Sequence, residues 1–414
     1  MKKRIVITGL GTLNAIANNV PDFAHALQEG VCGIGAIDLF DTAAFRSHMG
    51  GQIKNFIAHD YIPRNFSIKR MSRADMLSFA ATMEALRDAG LYPLPDELKE
   101  EMGAVIGGGA GGLLEAEEFY GDLSKNNGKN AKFSRLSALF CASSADRIAS
   151  TFGLAGPKST FMTACSGGAT ALGYARDLIA NGQASIMIAG GVEPMCRTTY
   201  AAFNALKAVD PDVCRPFDKN RSGLSLGEAA AMVVLESLDS ALGRGAKIYG
   251  EILGYGITCD SFHMTAPDEQ ASGAVRSMQA ALKDSGLSVD DIDYINAHGT
   301  ATAVNDAMET KAIKEVFGRR AYLIPVSSTK SMHAHTLGAA GALEGMVSVL
   351  AMQHGFIPPT INYQESDPQC DLDYVTTGSR KANLRTVLSN SFAFGGNNTT
   401  VIFGNYSERG AVHE

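Results

Sequence analysis

Cys165 stands where a short strand, Ser159 to Thr163, gives way to a helix from Ser166 to Ala180, with Gly167 and Gly168 leaving the approach to its sulfur open. A thiol at a helix amino terminus meets unpaired N–H groups and the positive end of the helix dipole, which favour thiolate and make the sulfur nucleophilic. A buried, inert cysteine is the plainer alternative. His298, in INAHGTATAVNDAMET, lies between a strand and a helix; Lys330, His333 and His335, in VSSTKSMHAHTLGAAGALEG, precede a glycine- and alanine-rich helix start. One cysteine, histidines on two separate loops and a lysine fit acyl transfer through a thioester. His333 and His335 also have the H-x-H form of a metal pair, but no neighbouring carboxylate or thiolate completes a ligand set, so no metal is expected. In LSNSFAFGGNNTTVIFG a glycine pair follows Phe394 on a tight loop between two strands, which reads as a hairpin.

The elements that must position these side chains alternate. The opening KKRIVITGLG reads as a strand, 78–89 as a helix, MGAVIG as a strand, 137–152 as a helix, and AAAMVVLES as a strand. KIYGEILGYG then restarts the same rhythm with helices SGAVRSMQAALKDS, AMETKAIKEVF and GALEGMVSVLAMQH and strands IDYIN, YLIPVSST and the terminal pair. This is an α/β chain with helices on both faces of mixed sheets. It carries a weak internal duplication of about 200 residues. G-L-G after the first strand lacks the third glycine of a dinucleotide fingerprint, since Asn14 stands there. Over 414 residues, Lys+Arg 36 against Asp+Glu 43 leaves a net charge of −7, which argues against nucleic acid as a partner. Seven cysteines without a C-x-x-C pair read as reduced thiols, and no apolar run is long enough for a membrane span, so a cytoplasmic protein is expected.

TACSGG, NAHGTATAVNDAMET, STKSMHAHTLGAAGALEG and NSFAFGG, in this order and spacing, resemble the motifs of the type II β-ketoacyl-acyl-carrier-protein synthases, within the thiolase-like condensing enzymes. The likeness runs over nearly the whole chain. It implies a thiolase-like fold of two βαβαβαββ halves in five layers, here 1–250 with the nucleophile and 251–414 with the histidines. It also implies a decarboxylative Claisen condensation of an acyl chain on Cys165 with malonyl carrier protein. His298 and His335 would act on the malonyl unit, Lys330 would pair with Glu344, and the Phe394 N–H would join that of Cys165 at the oxyanion. Ala110, Phe203, Thr300, Thr302, Phe392, Gly395 and Gly396 would contact substrate, with Ala110 leaving room for long or rigid chains. No cofactor is implied, because the acyl and malonyl groups arrive on the phosphopantetheine of the carrier. A homodimer is expected, with a heterodimer with a ketosynthase-like subunit as the other arrangement.

An acidic enzyme needs a local basic patch to meet an acidic carrier. Arg64, Lys69, Arg70 and Arg73 lie in a stretch free of acids, and Lys207, Lys132 and Arg135 are further candidates; a solvated helix face is the default reading of any one of them. Three departures from the family pattern stand out. Ala393 replaces the glycine between the phenylalanines, which would strain the loop if φ were positive there. Ala334, with His333 beside it, replaces the glycine before the second histidine. Ser166-Gly167-Gly168 also differs from the commonest wording. Fatty-acid and specialised polyketide or polyene elongation both stay open, as do two other readings, a non-catalytic chain-length partner and a non-decarboxylative thiolase-fold acyltransferase. The intact Cys165, His298 and His335 set argues against both of the latter.

Overall fold

A computed structural model describes residues 3–125 and 128–406. The first half runs β1 (Ile5–Leu13), α1 (Arg73–Asp88), β2 (Met102–Gly107), α2 (Ala142–Phe152), β3 (Lys158–Phe161), α3 (Gly167–Ala180), β4 (Ile186–Glu193) and β5 (Ala229–Ser237). The second runs β6 (Gly250–Cys259), α4 (Ser272–Ser285), β7 (Tyr294–Asn296), α5 (Ala303–Phe317), β8 (Val326–Ser327), α6 (Ala340–His354), β9 (Thr386–Ala393) and β10 (Asn397–Gly404). With the additional helices Val20–Glu29, Ala58–Tyr61, Leu113–Ser124, Arg197–Ala205, Leu238–Gly243 and Lys330–His333 and the short strand pairs Gly35–Ala36/Met49–Gly50 and Phe356–Ile357/Arg380–Lys381 set aside as insertions, each half reads βαβαβαββ. Hydrogen bonding links the strands in the order β8-β7-β9-β10-β6-β1-β5-β4-β2-β3, so both halves repeat one order: third, second, fourth, fifth, first. Where the halves meet, β1 and β6 share only the pairs Val6–Glu251 and Ile7–Gly250.

Strand alternation separates the core into layers. In β5, Ala230, Met232 and Val234 face one apolar cluster with α1 and α2, while Ala229, Ala231, Val233 and Leu235 face another with α3 and α6. A third cluster lies under α4 and α5 in the second half. The central layer is thus α3 against α6, and α6 is buried along almost its whole length, as its all-round apolar sequence requires. Gly11 in β1 shows how close the outer layer comes: a Cβ there would lie 2.0 Å from the Ala81 carbonyl oxygen of α1.

Three elements differ from the sequence expectation. The first long helix starts earlier, at Arg73, because Ser72 and Asp75 form a capping box. The helix expected over 137–152 starts only at Ala142; residues 133–138 form a separate 3-10 turn, since the Leu139 carbonyl turns aside to accept from Gly112 N–H. The strand expected through YLIPVSST shrinks to Val326–Ser327, with a 3-10 turn over Gly318–Tyr322. Among the described residues no helix is long and apolar enough to cross a membrane, and all seven cysteines are free.

Candidate active site

Both duplicated halves deliver their chemistry to one place. After β3 the chain makes a 3-10 turn, Ala164–Ser166, in which Ala164 takes φ 46° and Cys165 faces the entry to α3. His298 follows β7. Lys330 lies just after β8, and His335 sits on the loop that leads to α6. Cys165, His298 and His335 line one cavity of about 310 Å³ together with Phe203, Lys207, Thr300, Thr302, Phe392 and Phe394. Ala110, Gly395 and Gly396 do not line it. Lys207, taken from sequence as a docking residue, stands at this cavity and is exposed.

The two imidazoles meet edge to face, with centroids 5.3 Å apart. Their protons are assigned by their neighbours. Leu337 N–H donates to His335 Nδ1 at 3.3 Å, and the Lys330 ammonium lies 3.2 Å from His298 Nδ1. A nitrogen that accepts carries no proton, so each ring holds its proton on Nε2. Burial pushes both histidines well below 6.5, with the Lys330 charge adding to the effect. Both rings are neutral at pH 7 and act as hydrogen-bond donors. Acidification through pH 6.5 is therefore expected to leave kcat free of a histidine-protonation limb, which a pH–rate profile checks.

Lys330 is 1% exposed and uses all three of its donors: His298 Nδ1, the His298 carbonyl oxygen at 2.6 Å, and Glu344. The Lys330–Glu344 pair named from sequence is present. Burial raises the Glu344 carboxyl while the ammonium pulls it back. His333, the other half of the H-x-H pair, points elsewhere, bonded to Thr329 and to the Ala334 carbonyl. Among the described residues no three His, Cys, Asp or Glu side chains converge as metal ligands.

The expected thiolate at Cys165 requires correction. The thiol is 5% exposed, and burial pushes it up to about 12. The Lys330 charge and the N–H groups of Phe394 and Cys165 itself act in the opposite direction, but desolvation, with the Glu193 charge adding to it, outweighs them. The resting Cys165 side chain is a thiol. Alkylation of Cys165 by iodoacetamide is expected to rise about 10-fold per pH unit between pH 7 and 9, following the thiolate fraction. A rate that levels off near pH 8 would contradict a strongly raised pKa.

Phe394 occupies the turn between β9 and β10, its ring stacked on Phe203 with centroids 5.4 Å apart and planes 14° apart. Ala393 has φ −131°, ordinary extended backbone, so the loss of glycine at this position brings no strain. The turn is instead carried by Gly395 and Gly396, at φ 79° and 73°. The other departure behaves oppositely: Ala334 has φ 64°, ψ 178°, a conformation that costs a non-glycine residue of order 1–3 kcal/mol.

The basic stretch divides. Arg64, Lys69 and Arg70 are exposed. Arg73 is not a surface residue: its side chain is 13% exposed and bonds Glu228 through Nε at 2.7 Å and Nη2 at 2.6 Å. It belongs to α1, whose first turn packs inward, and this is a correction to its reading as a docking cation. Arg135 is held by Glu118 and Asp122, whereas Lys132 is exposed.

Two carboxylates escaped the sequence reading. Glu309 of α5 accepts from His298 N–H and Gly299 N–H, both at 2.8 Å, and from Asn390 at 3.1 Å, and so fixes the His298 loop. Its signal was present: Asp306 and Glu309 are spaced i, i+3 on the apolar face with Ala312 and Ile313. Glu193, at the end of β4, accepts from Gly109, Ala110 and Gly338, joining the 107–112 loop to the loop after His335. Nothing in the spacing of GGVEP marks it.

A cysteine and two neutral histidines converging from the two halves of a duplicated βαβαβαββ fold define an acyl-transferring condensing enzyme. The model of the β-ketoacyl synthase N-terminal domain matches residues 2–241, and that of the C-terminal domain matches 249–364. The chain is 42% identical to the 3-oxoacyl-[acyl-carrier-protein] synthase 2 of Synechocystis, covering 98% of this chain and 99% of that one. It is 40% identical to nodulation protein E of Rhizobium, covering 97% and 99%. Among solved structures, the ishigamide ketosynthase/chain length factor superposes with a TM-score of 0.92 at 37% identity, covering 98% of this chain and 100% of that one. The chain belongs to the β-ketoacyl synthase family and is a condensing enzyme that joins carrier-bound substrates by Claisen condensation.

Proposed function

We propose that Cys165 takes an acyl chain from a carrier protein, its thiol proton passing to the pantetheine sulfur that leaves, and that His298 and His335 direct the loss of CO2 from malonyl carrier protein, so that the chain grows by one ketide unit. The observation that carries this reading is the pair of fixed Nε2–H tautomers. Two neutral donors aimed into one cavity suit the oxygen of a malonyl thioester, where negative charge builds as the bond to the carboxylate carbon breaks. The electron pair of that bond becomes the enolate. The enolate carbon then attacks the Cys165 thioester, whose oxyanion meets the N–H groups of Cys165 and Phe394, and the cysteine sulfur leaves. In this scheme 1–250 supplies the nucleophile and 251–414 the decarboxylating pair. Thr300 and Thr302 at the cavity wall would guide the pantetheine arm, and the Phe394–Phe203 stack, with Phe392 beside His298, would screen the sulfur. Gly395 and Gly396 give the Phe394 turn its conformation.

Arg64, Lys69 and Arg70, with Lys207 at the cavity, are proposed to dock the acidic carrier. Ala110, on the loop that abuts the start of α3, is proposed to leave room at the far end of the acyl chain. A homodimer in the cytoplasm suits this role. The match to a ketosynthase/chain length factor favours a second arrangement, a heterodimer with a ketosynthase-like partner. The pathway is tested by intact-mass analysis of carrier-bound products over a series of saturated and polyunsaturated acyl primers. Extension of polyunsaturated primers at rates at least equal to saturated ones points to polyketide-like elongation; extension of saturated primers alone points to fatty acid.

A further inference from the structure

His333 takes no part in the chemistry above, yet it is fully buried and both of its ring nitrogens are engaged. Nδ1 lies 2.8 Å from the Ala334 carbonyl oxygen and Nε2 lies 3.0 Å from Thr329 Oγ1. A carbonyl only accepts, so Nδ1 carries the proton and Nε2 accepts from the threonine hydroxyl. The residue receiving this bond is Ala334, at φ 64°, ψ 178°, a region in which only glycine sits without strain. The Ala334 methyl is housed by two glycines: a Cβ on Gly51 would come within 2.8 Å of it and one on Gly227 within 2.9 Å. The peptide that follows is tied at its other end, because His335 N–H donates to the Ser225 carbonyl at 2.7 Å, while Gly227 N–H donates to the His335 carbonyl at 2.9 Å.

We infer that His333 is a positioning residue for His335: its hydrogen bond to the Ala334 carbonyl holds an alanine in a glycine's backbone conformation, and so sets the direction of the His335 imidazole. Without the ring, the Ala334 carbonyl loses its donor inside the core and the strained peptide relaxes towards ordinary φ. His335 Nδ1 is then carried away from Leu337 N–H, and the tautomer that this bond imposes is lost. Glycine at 334 needs no such clamp, because it adopts positive φ freely. The two residues form a compensating pair, histidine standing in for the conformational freedom that alanine lacks.

The inference rests on the reading of His335 as a donor to the malonyl thioester, and its test separates the two. Decarboxylation of malonyl carrier protein and acyl loading of Cys165 are measured separately for the full-length enzyme and for His333→Thr, Ala334→Gly and the double variant. His333→Thr is expected to lower kcat for decarboxylation at least about 10-fold with KM and Cys165 loading within about 3-fold, the split expected when a transition-state contact is lost. Ala334→Gly stays within about 3-fold of wild type, and the double variant returns to within about 3-fold of Ala334→Gly, the non-additivity of a coupled pair. Wild-type decarboxylation in His333→Thr, or a double variant as impaired as the single, overturns the inference. If His333→Thr does not fold, Ala334→Gly against the double variant decides in the same way: equality within about 3-fold supports it and a loss of about 10-fold overturns it. A wild-type enzyme that loads Cys165 but never decarboxylates malonyl carrier protein overturns the reading of His335 and this inference with it.

Discussion

Lys330→Met is expected to cost about 3–5 kcal/mol of stability, because Glu344 is left as an unpaired carboxylate in the core. It is also expected to lower kcat for malonyl decarboxylation by at least about 100-fold, the scale set by loss of a preorganised donor. The two effects have different origins. Stability suffers because Lys330 and Glu344 are 1% and 0% exposed and face each other. Activity suffers because the ammonium is what keeps the His298 proton on Nε2, and because it also braces the His298 carbonyl. The double variant Lys330→Met/Glu344→Leu separates them. Replacing both charges by apolar groups restores stability to near wild type in a thermal melt, while kcat stays low. Recovery of kcat in the double variant would show that the lysine serves only as half of a structural ion pair. Removal of the cation also relieves part of the force that lowers the histidine pKa values, so the acid limb of the single variant's pH profile moves to higher pH.

Arg73→Ala is expected to behave as a core mutation and not as a docking mutation, again losing about 3–5 kcal/mol, since Glu228 would lose the guanidinium that pairs it. Glu228 also accepts from Ile53 N–H and Met195 N–H, so its displacement would loosen the segment whose neighbour, Gly227, holds the His335 carbonyl. Lys69→Glu/Arg70→Glu is the contrasting case. Both residues are exposed, so the melting temperature stays put, while kcat/KM for carrier-delivered substrate falls about 10-fold or more and kcat at saturation changes little. Free pantetheine thioesters, which carry no protein surface, should not distinguish this variant from wild type. An unchanged kcat/KM with carrier protein would remove Lys69 and Arg70 from the docking surface.

Much of this arrangement was legible from residue types alone. The periodic helices and buried strands gave the alternating βα rhythm and its weak repeat, the family resemblance supplied the βαβαβαββ order of each half, and Cys165, His298, Lys330 and His335 were placed at strand ends that do converge. What was not legible depends on three-dimensional neighbours. A basic residue at the start of a helix looks exposed in sequence, and only the fold shows Glu228 arriving from 155 residues away to bury Arg73. A cysteine at a helix end looks activated, but the degree of burial, which sets the larger contribution to its pKa, belongs to the assembled cavity. Whether either alanine that replaces a family glycine takes positive φ was not legible: Ala393 does not, because the hairpin transfers the tight turn to Gly395 and Gly396, whereas Ala334 does, because the chain before His335 has no neighbouring glycine to take it. Glu309 was within reach of helical periodicity, but Glu193 was not, since its three N–H donors come from two loops remote in sequence.

The central claim is that Cys165 carries the growing chain and that a malonyl-derived enolate removes it. Intact-mass spectrometry of the enzyme, first with an acyl carrier protein and then with malonyl carrier protein, tests it in one experiment. The expected result is one acyl adduct on the wild-type enzyme and none on Cys165→Ala, followed by discharge that requires malonyl and yields a β-ketoacyl carrier longer by one two-carbon unit. An adduct that persists in Cys165→Ala, or discharge by acetyl carrier protein as fast as by malonyl, would contradict it.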